Sequence, residues 1–579
     1  MPVIVRRYGG LLVKVALLVV IIWGSNLWMV RIRDSIVHYR SVLRGQPSLG
    51  RPGSPLVQQV VLVVVGGLRY DASLQMPYLN SLREQGTEAR CKGYFPSYAQ
   101  TAWTTLISGA EPEINDAPLL DVPYEEIDFL TVDDLFTEAK RANLTTALTG
   151  FQRWERMIPN QVLDRSFFVS VADAEADSQV TEAALEFMRS LRPNFLLIHL
   201  GQVGYAGQTF GAASRQYRSA VRRVDSHIRE IAQAMSLSRN VLIVTADHGY
   251  LANGGYGGGE EEVVITPFVM VGGRVVAGPY EEIDQADTAP TIAALLGLAM
   301  PSAAQGEILF DALVLDEAES TEKWVSWAQQ RVELGNLYLE SIGQEPLSEA
   351  AKGDAEIAHS SLQVRNYGSA RRLAQFAVQG ADDEMNRARS QRIRKEQRFR
   401  LPIALLAIGV PAYVLWRRWS RTTAAFIISA LATILIYNLL FTWEGHTYSF
   451  SSMGDWHTFL AEATMRMATA LIPSILVIVW LIWRGEKRQP VEIAATNYGF
   501  ALILAYFLAF PLMIGYVPNG SEITWHLPDP LIAFLQVSAL VQLAVAAFLC
   551  LLVPLVTIPL DSLLRWPRVK VRSSRRSKT

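Results

Sequence analysis

Hydrophobic positions along this chain fall into three regimes. Residues 11–30, LLVKVALLVVIIWGSNLWMV, form one apolar run about long enough to cross a bilayer. Arg6 and Arg7 precede it and no small-residue cleavage site follows. The pattern predicts an uncleaved signal anchor over residues 1–34. From about 55 to 312, short apolar runs alternate with amphipathic stretches. VVLVVV (60–65), NFLLIHLG (194–201), NVLIVTADHG (240–249) and TPFVMVGG (266–273) predict buried strands ending in small residues or turns. SRQYRSAVRRVDSHIREIAQAM (214–235) places apolar residues every three or four positions, the helical period. This alternation predicts an α/β domain over 55–312 with a mostly parallel central sheet flanked by helices.

Residues 313–400 are polar and read as amphipathic helices, a solvated helical stalk. Five further apolar stretches follow, at roughly 401–416, 423–442, 467–483, 497–516 and 531–558. They predict a membrane domain of about five transmembrane helices within 401–560, followed by a basic tail over 561–579. The loops alternate in charge: RRWSR (417–421), RGEKRQ (484–489) and the tail are basic, whereas 443–459 and 517–530 contain no Lys or Arg. The positive-inside bias puts the basic segments and both termini in the cytoplasm and the α/β domain outside, in a multi-pass protein of the cell membrane. One run opposes this assignment. Arg387, Arg389, Arg392, Arg394, Lys395, Arg398 and Arg400 would lie outside, beside the membrane.

Composition narrows the function classes. Half the residues are hydrophobic and the net charge is −2, which argues against a nucleic-acid binder, since that would need a concentrated basic face. Two cysteines, Cys91 and Cys550, cannot build a disulfide framework. The triplets NLT (143–145) and NGS (519–521) fit the glycosylation pattern, a short signal that chance often produces.

In a parallel sheet, ligands bind beyond the carboxyl ends of the strands, yet the first strand ends in Gly66-Gly67, which offer no side chain. Six phrases place this oddity in context: VVLVVVGGLRYD, MPYLNSLREQGTEA, FPSYAQTAWTTLISGAEPE, GYAGQTFGAASRQYRSAVRRVD, TADHGYLANGGYGGGE and DTAPTIAALLGLAMPSAAQG. In this order, over roughly 58–310, they resemble the alkaline phosphatase superfamily, closest to its type I phosphodiesterase/nucleotide pyrophosphatase branch. The resemblance implies two metal ions, usually zinc, flanking a Ser or Thr nucleophile and clamping the attacking and leaving oxygens. Carried over by position, the first metal-binding Asp falls on Gly66 and the nucleophile on Ala99, with Ser97 and Thr101 two residues to either side. The D-x-x-G-H ligands fall on Gly204 and Gln208, and the His of the glycine-rich loop on Tyr256. Only Asp247 and His248 retain family ligands. Asp225 matches a family Asp with a structural role.

Gly and Ala have no donor atoms, Gln is a neutral and poor zinc ligand, and Tyr must first ionise from a pKa near 10. The expectation is therefore a pseudoenzyme with no cofactor, binding or scaffolding a protein partner or a phospholipid head group at the outer membrane surface. The alternative is an active phosphodiesterase or phosphotransferase on lipid-linked or extracytoplasmic phosphate esters. It would hold zinc or another divalent metal in an atypical site, for which Asp71, Ser97 or His199 could supply ligands. The loop GGYGGGEEE is not a P-loop, since no Gly-Lys-Ser/Thr follows. In the membrane half, His446, His457 and His526 with Glu444, Asp455 and Asp529 form a weaker constellation, readable as interface-belt residues. Lys14 is the ionisable residue inside a predicted span.

Overall fold

The computed structural model describes residues 2–454, 456–484 and 489–576, with the backbone alone for 2–7 and 564–576. The chain divides into two compact units. One is helical and comprises Met1–Ser35, Arg394–Ile523 and Leu531–Thr579; the other, Ile36–Ile393 with Thr524–Pro530, contains the sheet.

The sheet has nine strands: β1 (Val60–Val65), β2 (Thr87–Lys92), β3 (Thr146–Phe151), β4 (Arg165–Val169), β5 (Phe195–Leu200), β6 (Val241–Ala246), β7 (Ile265–Gly272), β8 (Gly278–Pro279) and β9 (Ile283–Asp284). Their order is β4-β3-β5-β1-β6-β7-β2-β8, with β9 also on β2. The block from β4 through β6 is parallel, and β7 runs antiparallel to both β6 and β2. The expected α/β class, with a mostly parallel sheet flanked by helices, is what the chain adopts.

The continuous apolar run of β1 follows from its central place. Val60, Leu62 and Val64 point into one core, Val61, Val63 and Val65 into the other, and all six are fully buried. Side chains alternate across a strand, so a strand covered on both faces must be apolar at every position. Burying these six contributes on the order of 10 kcal/mol before conformational entropy is counted. The helix expected over 214–235 spans Arg215–Gln233, and Ser214 caps it by accepting from the Tyr217 backbone N–H at 3.0 Å.

The segment 313–400 is not a solvated stalk. It forms helices Glu317–Ser341, Glu349–Gln363 and the start of Tyr367–Arg417, and Val325, Trp327 and Leu334 are buried in the same core as Val60. Ala370, Ala374, Ala377 and Ala381 continue that buried face at helical spacing. Alanine registers weakly on a hydropathy scale, yet its small side chain lets a helix approach its neighbour closely. That is why the segment reads as polar and still packs.

Six helices among the described residues are long and apolar enough to cross a membrane: Tyr8–Val37, Tyr367–Arg417, Arg421–Trp443, Trp456–Arg484, Pro490–Asn519 and Pro530–Leu563. The protein is a multi-pass membrane protein. The apolar stretch 401–416 is the end of a 51-residue helix that continues through Pro402 and Pro411. The basic segment 561–579 is helical as far as Arg576. Lys14 satisfies its ammonium by donating to the Ala495 carbonyl at 2.6 Å.

Sequence reading passed over one buried charge in the helical unit. Arg466 is 2% exposed inside helix Trp456–Arg484; its guanidinium is held by Glu444 and by Glu462, and Glu462 also lies 3.3 Å from His446 Nε2. His526 belongs to the α/β unit instead. Asp455, the loop positions 485–488 and the last three residues of the tail lie outside the described residues.

Candidate functional site

Three parallel strands end side by side. In register, Val65 of β1 lies opposite Leu200 of β5 and Ala246 of β6, so Gly66, Gly201 and Asp247 leave the sheet together. Gly67 then turns with φ +73, a left-handed conformation that glycine adopts without strain.

Asp247 is 3% exposed, and both its oxygens are occupied. Oδ1 accepts from the backbone N–H of Gly67 and of His248, each at 2.8 Å. Oδ2 accepts from the indole Nε1–H of Trp103, also at 2.8 Å. Helix Ala99–Ser108 presents that indole. Its ring stacks on Trp154 at 4.8 Å and meets His199 edge-on at 4.7 Å. A buried carboxylate that would otherwise need a cation thus has three neutral donors, each charge-assisted.

His199, the last but one residue of β5, projects under Gly66. Neither ring nitrogen has a hydrogen-bond partner, and burial pushes its pKa down to about 4, so the ring is neutral at physiological pH. A Cβ placed on Gly66 would sit 3.1 Å from His199 Nε2, so a carboxylate there would have to displace the imidazole.

Aromatic rings fill the rest of the site. Tyr250 is 3% exposed, and its ring occupies the space in front of two glycines. A Cβ on Gly67 or Gly207 would lie 2.5 or 2.4 Å from it. His248 donates from Nδ1 to the Gly249 carbonyl at 3.0 Å and stacks on Tyr256 at 4.3 Å. Tyr98, beside Ala99, meets Tyr256 at 5.4 Å.

The structure brings Gly66, Gly204, Asp247, His248 and Tyr256 to this one locus; a Cβ on Gly204 would lie 3.1 Å from the Gly66 carbonyl. Ala99 opens the adjoining helix without a reactive atom. Gln208 is exposed rather than turned into the buried site. The substitute ligands are engaged elsewhere. Ser97 donates to the Gly258 carbonyl, Thr101 to the Pro118 carbonyl, and Asp71 forks with Arg69 at the surface. Asp225 accepts the backbone N–H of Tyr78 and of Leu79 and so holds the start of helix Pro77–Arg83. Trp103 and Tyr250 were not singled out as site residues. The available signal was a large aromatic directly after Asp247-His248-Gly249.

Among the described residues, no three His, Cys, Asp or Glu side chains are grouped so as to hold a metal ion. The donor set does not fit a pair of dications, which needs several anionic or imidazole ligands with free lone pairs. What the arrangement offers is a rigid, aromatic-lined end to the strands.

The type I phosphodiesterase/nucleotide pyrophosphatase family profile matches residues 129–259, the stretch that supplies β3 through β6 and the glycine-rich loop. That stretch of the α/β unit is similar to a type I phosphodiesterase domain. Over 282 residues the chain is 26% identical to the human GPI ethanolamine phosphate transferase 2 catalytic subunit, covering 44% of this chain and 28% of the relative. It is 25% identical to the human transferase 3 catalytic subunit (45% and 27%) and 23% identical to the Schizosaccharomyces pombe transferase 2 (53% and 44%). The chain therefore matches between about a quarter and under half of the length of these relatives. Among solved structures it is similar to murine ectonucleotide pyrophosphatase/phosphodiesterase 5, at 13% identity over 42% of this chain and 96% of that one, with a TM-score of 0.35. An alkaline phosphatase superfamily protein from Vibrio parahaemolyticus matches at 12% identity over 50% and 79%, with a TM-score of 0.35.

Proposed function

We propose that this chain is a membrane-embedded relative of the ethanolamine phosphate transferases that engages a phosphorylated lipid or lipid-linked glycan at the membrane surface without transferring a phosphoryl group. The observation that carries the reading is the Asp247 carboxylate, closed off by Trp103, Gly67 and His248 where the superfamily's chemistry requires a metal. The positions matched to the other ligands and to the nucleophile, Gly66, Ala99, Gly204, Gln208 and Tyr256, support it. The proposed site is then a pseudoenzyme cleft with no resident cofactor.

The topology belongs to the same proposal. With the amino terminus in the cytoplasm, six spans put the basic segments 417–421 and 484–489 and the tail inside, and the phosphodiesterase domain outside. Three residues of the arginine run that opposed this have partners within the protein. Arg389 forks onto Glu113, Arg392 lies over the Trp525 ring at 4.3 Å, and Arg400 donates to Glu396 and to the Pro518 carbonyl.

The test is metal content and turnover of the purified full-length protein after zinc or manganese loading. The expected result is less than about a tenth of an equivalent of metal and no release of ethanolamine phosphate from phosphatidylethanolamine. Vesicles carrying a phosphorylated glycolipid should still bind, and Tyr256→Ala should weaken that binding. One or two tightly held equivalents with turnover would overturn the reading. They would establish instead an active transferase with an atypical site, the alternative favoured by the names of the curated relatives.

A further inference from the structure

The α/β unit contains a second concavity that shares no lining residue with the strand-end site. Its volume is about 570 Å³, and it lies among the loop after Gly109, the turn Gln285–Asp287 and helices Glu317–Ser341 and Tyr367–Arg417. The lining is acidic. Its two arginines are already committed: Arg389 forks onto Glu113, and Arg331 donates to the carbonyls of Gln305 and Gly306 while pairing with Asp382 at 3.2 Å. Glu111, Asp284, Asp287 and Glu307 line it and form no ion pair within 4.0 Å among the described residues, although Asp287 accepts the backbone N–H of Asp284 and of Glu307.

A separate observation points to a ligand. The Tyr338 hydroxyl lines this cavity, the residue is 6% exposed, and its oxygen has no hydrogen-bond partner. A buried phenol left unsatisfied carries its full desolvation cost. It can accept one hydrogen bond and donate another, so a group with N–H donors would relieve both it and the carboxylates.

We propose that this cavity binds a primary alkylammonium ligand. A bare divalent cation does not suit it, because no three acidic side chains here are grouped closely enough to ligate one. The volume is that of a small-molecule pocket, and the several carboxylates without an ion pair around it suit a chain bearing more than one ammonium. A free di- or polyamine supplies that chemistry, and so does the aminoethyl end of a lipid head group. The head group brings its phosphate into a negative cavity and should bind more weakly.

The titration of the carboxylates sets a pH dependence. Burial, with Glu113 and Asp284 nearby, raises Glu111 to about 7, and burial raises Asp287 to about 7. Glu282, Asp284 and Glu307 face Glu111 from the turn and the segment behind it, and Tyr94 from the strand end. Arg331 and Tyr338 face it from one helix, Asp382 and Arg389 from the other. An amine with its ordinary pKa stays protonated at pH 8 while these carboxyls ionise, so binding tightens as pH rises from 6 to 8.

The experiment is calorimetric titration of the full-length protein in detergent with putrescine, spermidine and glycerophosphoethanolamine, at pH 6 and pH 8. Saturable binding at pH 8 is expected, weakened about tenfold by Glu111→Gln and several-fold by Tyr338→Phe. Neither variant should lower the thermal midpoint of the unliganded protein, since each removes an unsatisfied or uncompensated group. Tighter binding of the free amines assigns the ligand to them, and tighter glycerophosphoethanolamine binding to a head group. No saturable heat at pH 8 would overturn the proposal. So would unchanged affinity in both variants, or displacement of the amine by one equivalent of calcium. Metal loading at the strand-end site does not enter this readout, so the two proposals fail separately.

Discussion

Trp103 donates its indole N–H to Oδ2 of Asp247 at 2.8 Å, across 144 residues of chain. This one bond occupies the second carboxylate oxygen of Asp247. Trp103→Phe keeps the stacking surface toward Trp154 and removes the donor. The expected loss is about 2 kcal/mol, the cost of a buried carboxylate losing one of three charge-assisted bonds. Thermal unfolding should show a fall of several degrees, and a coupling of at least about 1 kcal/mol with Asp247→Asn in a double-mutant cycle. An unchanged midpoint would mean that the bond contributes nothing.

Tyr250 fills space that Gly67 and Gly207 leave open. In Gly207→Ala the new methyl would lie 2.4 Å from the Tyr250 ring, so overpacking should cost about 1–3 kcal/mol. Tyr250→Ala alone should also destabilise, by opening a cavity. Combined, the two should cost less than their sum, because each relieves the other. Strict additivity would place the ring elsewhere.

His199 predicts an acid-side loss of stability. Its folded pKa, about 4, lies below the unfolded value near 6.5 because burial favours the neutral ring. The unfolded chain therefore binds more protons between pH 6.5 and 4. The stabilisation is complete above pH 6.5 and is lost as pH falls, by about 3 kcal/mol at pH 4. Comparing His199→Phe with the unaltered protein from pH 7 to 4.5 isolates this effect. Parallel curves would show that the ring titrates normally.

Glu113 is nearly buried, and Arg389 forks onto it with bonds of 2.9 and 2.5 Å. The pairing holds Arg389 well above the ordinary guanidinium pKa, first through the hydrogen bonds to Glu113. Arg389→Ala should therefore cost about 2 kcal/mol, below the range for a fully buried pair because Arg389 is partly exposed. Arg389→Ala with Glu113→Gln should recover part of it. Chemical denaturation of the two variants reads this directly, and no recovery would mean that the arginine acts through packing alone.

The α/β class and the positions of β1, β5, β6 and β7 were legible because these short segments are almost continuously apolar and end in small residues or turns, the pattern of strands buried on both faces. The six spans were legible as runs of apolar residues, apart from the boundary of the first carboxyl-terminal one, which continues an amphipathic helix. The packing of 313–393 was not legible. Its buried face is built largely of alanines, whose contribution depends on how close a neighbouring helix comes.

For the site, Gly66, Gly204, Asp247, His248 and Tyr256 meet at one locus while Gln208 is exposed, and Gly66, Ala99 and Gly204 carry no side-chain donor atoms whatever the fold. What occupies that space was decided by tertiary structure. Trp103, His199 and Tyr250 lie on three separate elements, and their joint position depends on strand register and helix docking, which leave no local trace in the chain. The acidic cavity has the same origin. Glu111, Asp287, Glu307 and Tyr338 are ordinary surface-type residues one by one, and only the fold brings them around one volume and leaves a buried hydroxyl without a partner.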